Sequence, residues 1–238
     1  MVDALAYTVF DMRSGTYLTQ GQGDAQLPVG SLMKLLAAQV AFGAGEPTKM
    51  VVAPAGLTIS DDESTIDINA GQELSRDLLI RAMLKASAND AARMLAIDIA
   101  GSEAAFAEIM NTTAAGLGLD NTRAVNATGL DAEGQYSSAV DMTDLGVFLM
   151  GNISFQLAVK DATAELNGQA YPNPNDLLGV YPGADGIKTG RTTGAGWCVL
   201  ASASRDGRRI VVAVLGASTE AARDASATAL LDWGFAQP

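Results

Sequence analysis

Trp197-Cys-Val-Leu-Ala-Ser-Ala-Ser204, Arg205-Asp-Gly-Arg208 and Arg209-Ile-Val-Val-Ala-Val-Leu-Gly216 run consecutively near the end of the 238-residue chain. Two β-rich runs joined by an Asp-Gly turn read as a hairpin. At the other end, Leu5-Ala-Tyr-Thr-Val-Phe10 and Thr16-Tyr-Leu-Thr-Gln20 flank Asp11-Met-Arg-Ser-Gly15 and read as a second hairpin. Between them apolar residues recur at helical spacing over 32–42, 78–84, 91–99, 104–115 and 142–150, and an amphipathic stretch covers 219–233. Ser75, Ser102 and Ser138 stand as N-caps, the last with Asp141 at capping-box spacing. Strands at both ends and helices in the middle predict one sheet built from both termini, a mainly helical lobe inserted between them, and a cleft where they meet. The polar stretches 59–64 and 171–175 read as surface connections.

Composition removes whole chemistries. The chain is 48% hydrophobic and 18% charged, enough to build a core, but it has no histidine and only one cysteine, Cys198. A Ser-His-Asp triad, a Cys-His dyad, imidazole proton shuttling and a zinc site needing His or several Cys are excluded. The net charge of −12 opposes nucleic acid and anionic membranes. One cysteine forms no internal disulfide and does not decide the compartment. No apolar run reaches the ~18 residues of a span; 35–42 and 210–216 are core-sized. Met1-Val2-Asp3 does not begin a signal peptide, so export implies a processed chain with a start Met added.

A nucleophile in such a chain needs a base among Lys, Asp, Glu or Tyr, and there are only five lysines. Lys34 follows Ser31 by three residues in Pro28-Val-Gly-Ser-Leu-Met-Lys-Leu35 at a predicted helix start, which puts both side chains on one face within hydrogen-bond reach. The helix N-terminus favours an alkoxide at Ser31. To act as a base at neutral pH, Lys34 must drop from ~10.4 to near 7, roughly 4 kcal/mol of differential stabilisation, which burial plus a second positive charge can supply. Fourteen serines and five lysines give about 0.3 chance Ser-x-x-Lys matches, so the pair alone decides little. Two further elements add weight. Asp185-Gly-Ile-Lys188-Thr-Gly190 reads either as a plain strand and turn or as a carboxylate clamp, with Lys188 and Thr189 side by side and Gly190 admitting a ligand to the backbone. Ala86-Ser87-Ala-Asn89-Asp90 reads either as a helix start or as a catalytic Ser-x-Asn.

Ser-x-x-Lys, Ser-x-Asn and Lys-Thr-Gly in that order are the motif set of the penicilloyl-serine enzymes. With Asp90-Ala91, Gly129-Leu-Asp-Ala-Glu-Gly-Gln-Tyr-Ser-Ser138, Ala201-Ser-Ala203 and Asp232-Trp-Gly-Phe235, the sequence resembles the low-molecular-mass penicillin-binding proteins of D-alanyl-D-alanine carboxypeptidase type over essentially its whole length. The resemblance implies an α+β fold of the β-lactamase/transpeptidase-like kind, with an antiparallel sheet flanked by helices. It implies a single catalytic domain, its α/β lobe at about 1–46 and 183–238 and its helical lobe at about 47–182. It implies that Ser31 attacks the penultimate D-Ala carbonyl, Lys34 takes the proton, Ser87 relays it to the leaving amine and Asn89 holds the substrate backbone. Lys188 and Thr189 would bind the terminal carboxylate, Lys188 would also lower the pKa of Lys34, and the N–H groups of Ser31 and Arg191 would form the oxyanion hole. The implied partners are a peptidoglycan stem peptide ending in D-Ala-D-Ala and β-lactams as covalent inhibitors. No cofactor, metal or nucleic acid is expected, and the implied location is extracytoplasmic.

Two departures stand out. Arg191 occupies the position after Lys-Thr-Gly where the family often has His, and adds positive charge for a carboxylate. The sequence also stops after Trp-Gly-Phe, without the C-terminal β-domain and membrane anchor of some relatives. Arg223 sits where the family carries a carboxylate-binding arginine, or is a solvated helix residue. Cys198 reads as a buried apolar residue, Asp61-Asp62-Glu63 as a solvated loop, and the nine methionines as core filling. Three alternatives compete. A class A β-lactamase needs a Glu three residues before Leu-Asn, but Leu166-Asn167 has Thr163 there and Glu165 adjacent. The others are a D,D-endopeptidase and a non-catalytic peptidoglycan-binding module.

Overall fold

A computed structural model describes residues 2–57, 59–60, 63–166 and 168–238; Asp61 and Asp62 of the acidic run, and Asn167, lie outside them. The N-terminal hairpin is β1 (Ala6–Asp11) and β2 (Thr16–Gly21). A 3-10 turn over Gly30–Met33 leads into α1 (Lys34–Gly43). A small hairpin, β3 (Met50–Val52) with β4 (Glu73–Ser75), precedes α2 (Arg76–Lys85), α3 (Asn89–Ala100) and α4 (Glu103–Gly116). Then come α5 (Ala139–Leu149), α6 (Ile153–Val159) and a second small hairpin, β5 (Thr163–Leu166) with β6 (Gln169–Pro172). The chain returns to the sheet through β7 (Ala184–Thr192), β8 (Gly196–Arg205) and β9 (Arg208–Ala217) and closes with α7 (Glu220–Ala236).

The sheet order is β2-β1-β9-β8-β7 and every pairing is antiparallel, so the two chain ends do share one sheet. Its central strands are buried on both faces. Cys198 and Leu200 of β8, with Val211, Ala213 and Leu215 of β9, face the large helical core. Val199, Ala201, Ile210, Val212 and Val214 face Ala227, Leu230 and Leu231 of α7. That is why 210–215 reads as an unbroken apolar run; each such buried Val or Leu contributes roughly 1.5–3 kcal/mol. The helix α5 lies on the face opposite α7, against β1 and β9. There Thr8 and Thr143 share a buried 2.6 Å hydrogen bond.

All three expected caps form: Ser75, Ser102 and Ser138 accept from the N–H groups of Leu78, Ala105 and Asp141. Two more went unread. Asn152 caps α6, and Thr219 caps α7. The stretch 171–175 is not a plain surface connection: Tyr171 and Pro172 pair in β6, and Asn173 and Asn175 are buried, their amides donating to the carbonyls of Asp161 and Gly186. Cys198 is buried as expected, and so are six methionines, whereas Met50 is about half exposed on β3. Among the described residues no single helix is long and apolar enough to cross a membrane.

Candidate active site

The Ser31 turn, the α2–α3 junction and edge strand β7 converge at the end of the sheet. Ser31 lies in the 3-10 turn, not in the helix proper, and Lys34 opens α1. Lys34 is fully buried; its ammonium nitrogen donates to Ser31 Oγ at 2.8 Å and to the Thr128 carbonyl at 2.6 Å. Burial, and next the charge of Lys188, hold its pKa well below the ordinary lysine value. A lysine whose pKa is held down, in hydrogen-bond contact with a serine hydroxyl, is placed where a general base can stand.

Ser87 sits between α2 and α3 with a left-handed backbone (φ 57°). Its Oγ accepts from Lys188 Nζ at 2.9 Å. Lys188 is 1% exposed, and burial followed by the charge of Arg223 lowers its pKa to about 7. Three basic side chains therefore stand in series, Arg223 acting on Lys188 and Lys188 on Lys34.

Successive strand residues face opposite ways, so Lys188 and Thr189 of the expected clamp leave β7 on opposite faces of the sheet. Lys188 pairs with Leu200, on the helical face, and Thr189 with Val199, on the α7 face. Thr189, Gly190, Arg191 and Arg223 line a cleft of about 250 Å³ with Ser31 and Ser87, and the buried Lys188 reaches it through Ser87 Oγ. The Arg191 guanidinium stands 4.8 Å from the ring centre of Trp197, and that of Arg223 stands 5.7 Å away. Nor is Arg223 a solvated helix residue: it is 1% exposed and bridges to Asp224 and Glu220 of its own helix and to Asp176. Larger hollows of about 360 and 440 Å³ lie beside Gly129 and behind Glu63. They contain neither Ser31 nor Ser87, so chemistry rather than size selects the cleft.

Gly190 lines the cleft and also meets the serine turn. A Cβ there would stand 2.4 Å from the Val29 carbonyl and 3.1 Å from Ser31 N, and one on Gly30 (φ 55°) would stand 2.8 Å from Arg191 N. The two glycines let the serine turn pack directly on β7, so that the N–H groups of Ser31 and Arg191 come close together.

Sequence reasoning missed one side chain altogether. Glu63, read as part of a solvated loop, is 6% exposed. It accepts from Asn89 Nδ2 at 2.7 Å and from Arg93 at 2.7 Å. Arg93 lies one helical turn beyond Asn89, a spacing that was legible; the loop contact was not. Asn89 opens α3 and is 4% exposed.

The fold is that of the DD-peptidases. A Streptomyces DD-transpeptidase variant superimposes with a TM-score of 0.94 at 26% identity, over 100% of this chain and 99% of that one. An ampicillin-bound penicillin-binding protein of Listeria monocytogenes gives 0.88 at 30% identity, over 99% and 98%. The profile of the D-alanyl-D-alanine carboxypeptidase family matches residues 1–219, and the chain belongs to that family. D-alanyl-D-alanine carboxypeptidase DacC of Escherichia coli is 35% identical over 247 residues, covering 98% of this chain. The chain spans 62% of the length of that relative.

Proposed function

We propose that the chain is a serine-type D-Ala-D-Ala carboxypeptidase acting on peptidoglycan stem peptides, and that penicillins acylate it on Ser31. The observation that carries the reading is the buried Lys34, its pKa lowered, 2.8 Å from Ser31 Oγ. As Ser31 Oγ bonds to the carbonyl carbon of the penultimate D-Ala, its proton passes to Lys34 Nζ. The charge that develops on the carbonyl oxygen is taken by the N–H groups of Ser31 and Arg191. When the C–N bond breaks, Ser87 relays the proton to the departing amine, and water then hydrolyses the acyl-Ser31 ester.

Thr189, Arg191 and Arg223 bind the terminal carboxylate from the α7 side of the cleft, and Asn89 serves the substrate backbone. Lys188 works through Ser87, donating to it and helping to keep Lys34 neutral. The α/β lobe at about 1–46 and 183–238 and the helical lobe at about 47–182 act as one catalytic domain. Peptidoglycan lies outside the cytoplasmic membrane, so the enzyme works there.

Intact-mass analysis with a penicillin tests the reading. A one-to-one adduct is expected on the wild type and none on Ser31→Ala, with D-Ala released from a stem pentapeptide. A wild type that neither labels nor releases D-Ala is instead a binding module. Glu165, the carboxylate nearest to the β-lactamase pattern, is exposed on β5, paired across to Ala170, and does not line the cleft. That placement favours slow release of penicillin over rapid turnover.

A further inference from the structure

The carboxylate missed in the sequence is bound too specifically to be a surface charge. Glu63 Oε2 accepts from both Asn89 Nδ2 and Arg93 Nη1, and Oε1 accepts from Arg93 Nη2 and the Ser60 N–H. Arg93 is itself 14% exposed and reaches Glu103 at 3.4 Å. The loop that carries Glu63 is tied to the start of α3. The Asn89 N–H donates to the Ser64 carbonyl, and Asp90 accepts from the N–H groups of Ile66 and Ile68.

The other end of the Asn89 amide is unusual. Oδ1 is buried and has no hydrogen-bond partner among the described residues, a state that costs roughly 1–3 kcal/mol. The opposite amide orientation would set that oxygen against the Glu63 carboxylate, acceptor against anion, and is closed off. We propose that Glu63, held by Arg93, is a positioning residue for acylation: it locks the Asn89 amide so that Nδ2 is spent on the carboxylate and Oδ1 stays a free acceptor for the reacting complex. The inference rests on the serine-peptidase reading above and deepens it.

The Glu63–Arg93 pair also sits within the electrostatic reach of Lys34. Lys188 from β7 and Arg93 from α3 push the Lys34 pKa down, while Glu63 from the loop and Asp90 from α3 push it up. Glu63 and Arg93 thus act on the base in opposite directions.

Penicillin acylation rates are measured against pH for the wild type, Glu63→Gln and Arg93→Met, each confirmed folded by its melting curve. Glu63→Gln keeps the shape but permits either amide orientation, so the rate should fall roughly tenfold to a hundredfold. Its acid limb should move to lower pH, because an anion that raises the Lys34 pKa has gone. The limb of Arg93→Met should move to higher pH. Loss of packing alone moves neither limb, so the opposite displacements distinguish positioning from scaffolding. A wild type that acylates while both variants match it in rate and limb overturns the inference and leaves the functional reading intact. A wild type that forms no adduct overturns both.

Discussion

Replacing Gly190 by alanine tests the oxyanion geometry with one methyl group. The new Cβ would lie 2.4 Å from the Val29 carbonyl oxygen and 3.1 Å from the nitrogens of Ser31 and Leu32. All three are backbone atoms of the turn that carries the nucleophile, so no side chain can swing away. Since ordinary contact starts at 3.4 Å, turn and strand must part by roughly 1 Å at the Val29 carbonyl. The N–H groups of Ser31 and Arg191 then no longer reach one oxygen together, and losing one such donor costs ~3 kcal/mol, about 10²–10³ in rate. The overpacking should cost a further 1–3 kcal/mol or so of stability, several degrees of Tm. Stopped-flow acylation by a fluorescent penicillin reads the first effect and a melting curve the second. Gly116→Ala, at the end of α4 with open space around its Cβ, is the control; it should acylate normally and melt no lower than the wild type. A folded Gly190→Ala enzyme acylating within about threefold of the wild type would refute the assignment of the two N–H groups.

Three other variants probe the cations and the missing β-lactamase carboxylate. Lys188→Met should slow acylation and move its acid limb to higher pH, because a cation that lowers the Lys34 pKa has been removed; an unmoved limb breaks that coupling. Lys188 binds fewer protons folded than unfolded, so its burial penalty is full below about 7 and fades toward the ordinary 10.5. Urea midpoints should therefore show Lys188→Met gaining most over the wild type at pH 6 to 7 and little near pH 10, and a gap that does not change with pH contradicts the depressed value. Arg223→Met should raise KM for a D-Ala-D-Ala peptide about tenfold or more while leaving a C-terminally amidated analogue unaffected; equal losses on both deny it a carboxylate. Glu165→Gln should leave the half-life of the penicilloyl adduct unchanged, and a longer half-life would make Glu165 the deacylating base.

What the sequence made legible was local. The Asp-Gly turn at 206–207 and the β-rich runs beside it mark β8 and β9, and Ser75, Ser102 and Ser138 mark helix starts, because each signal acts over a few residues. Ser31 and Lys34 are legible for the same reason, one helical turn apart. Strand β7 was harder, since its buried Lys188 is held by a partner 101 residues away, Ser87, and no periodicity encodes that. Asn175 looked like loop polarity because its amide pairs with the Gly186 carbonyl only once β7 is in place. Glu63 was lost in the same way. An acidic run reads as solvated unless one knows that Asn89 and Arg93 come to meet it, and those contacts depend on how the loop folds back over α3.

The absence of histidine connects these long-range features. An imidazole titrates near neutrality almost unaided, so an enzyme built on it can keep its base close to solvent. A lysine base must instead be taken out of water and set beside another cation, and both requirements fall on the fold. Lys34 is fully buried and Lys188 is 1% exposed, which is possible only where helices cover one sheet face and the serine turn packs on glycine against the edge strand. Each buried amine then needs its hydrogen bonds from the protein. The Thr128 carbonyl and Ser31 accept from one, and the Thr189 carbonyl and Ser87 accept from the other. The other charges nearby are paired, Glu63 with Arg93 and Arg223 with Asp224. The residues proposed for the chemistry are few, and the positions that support them are many, because a lysine pKa is held down only inside such a frame.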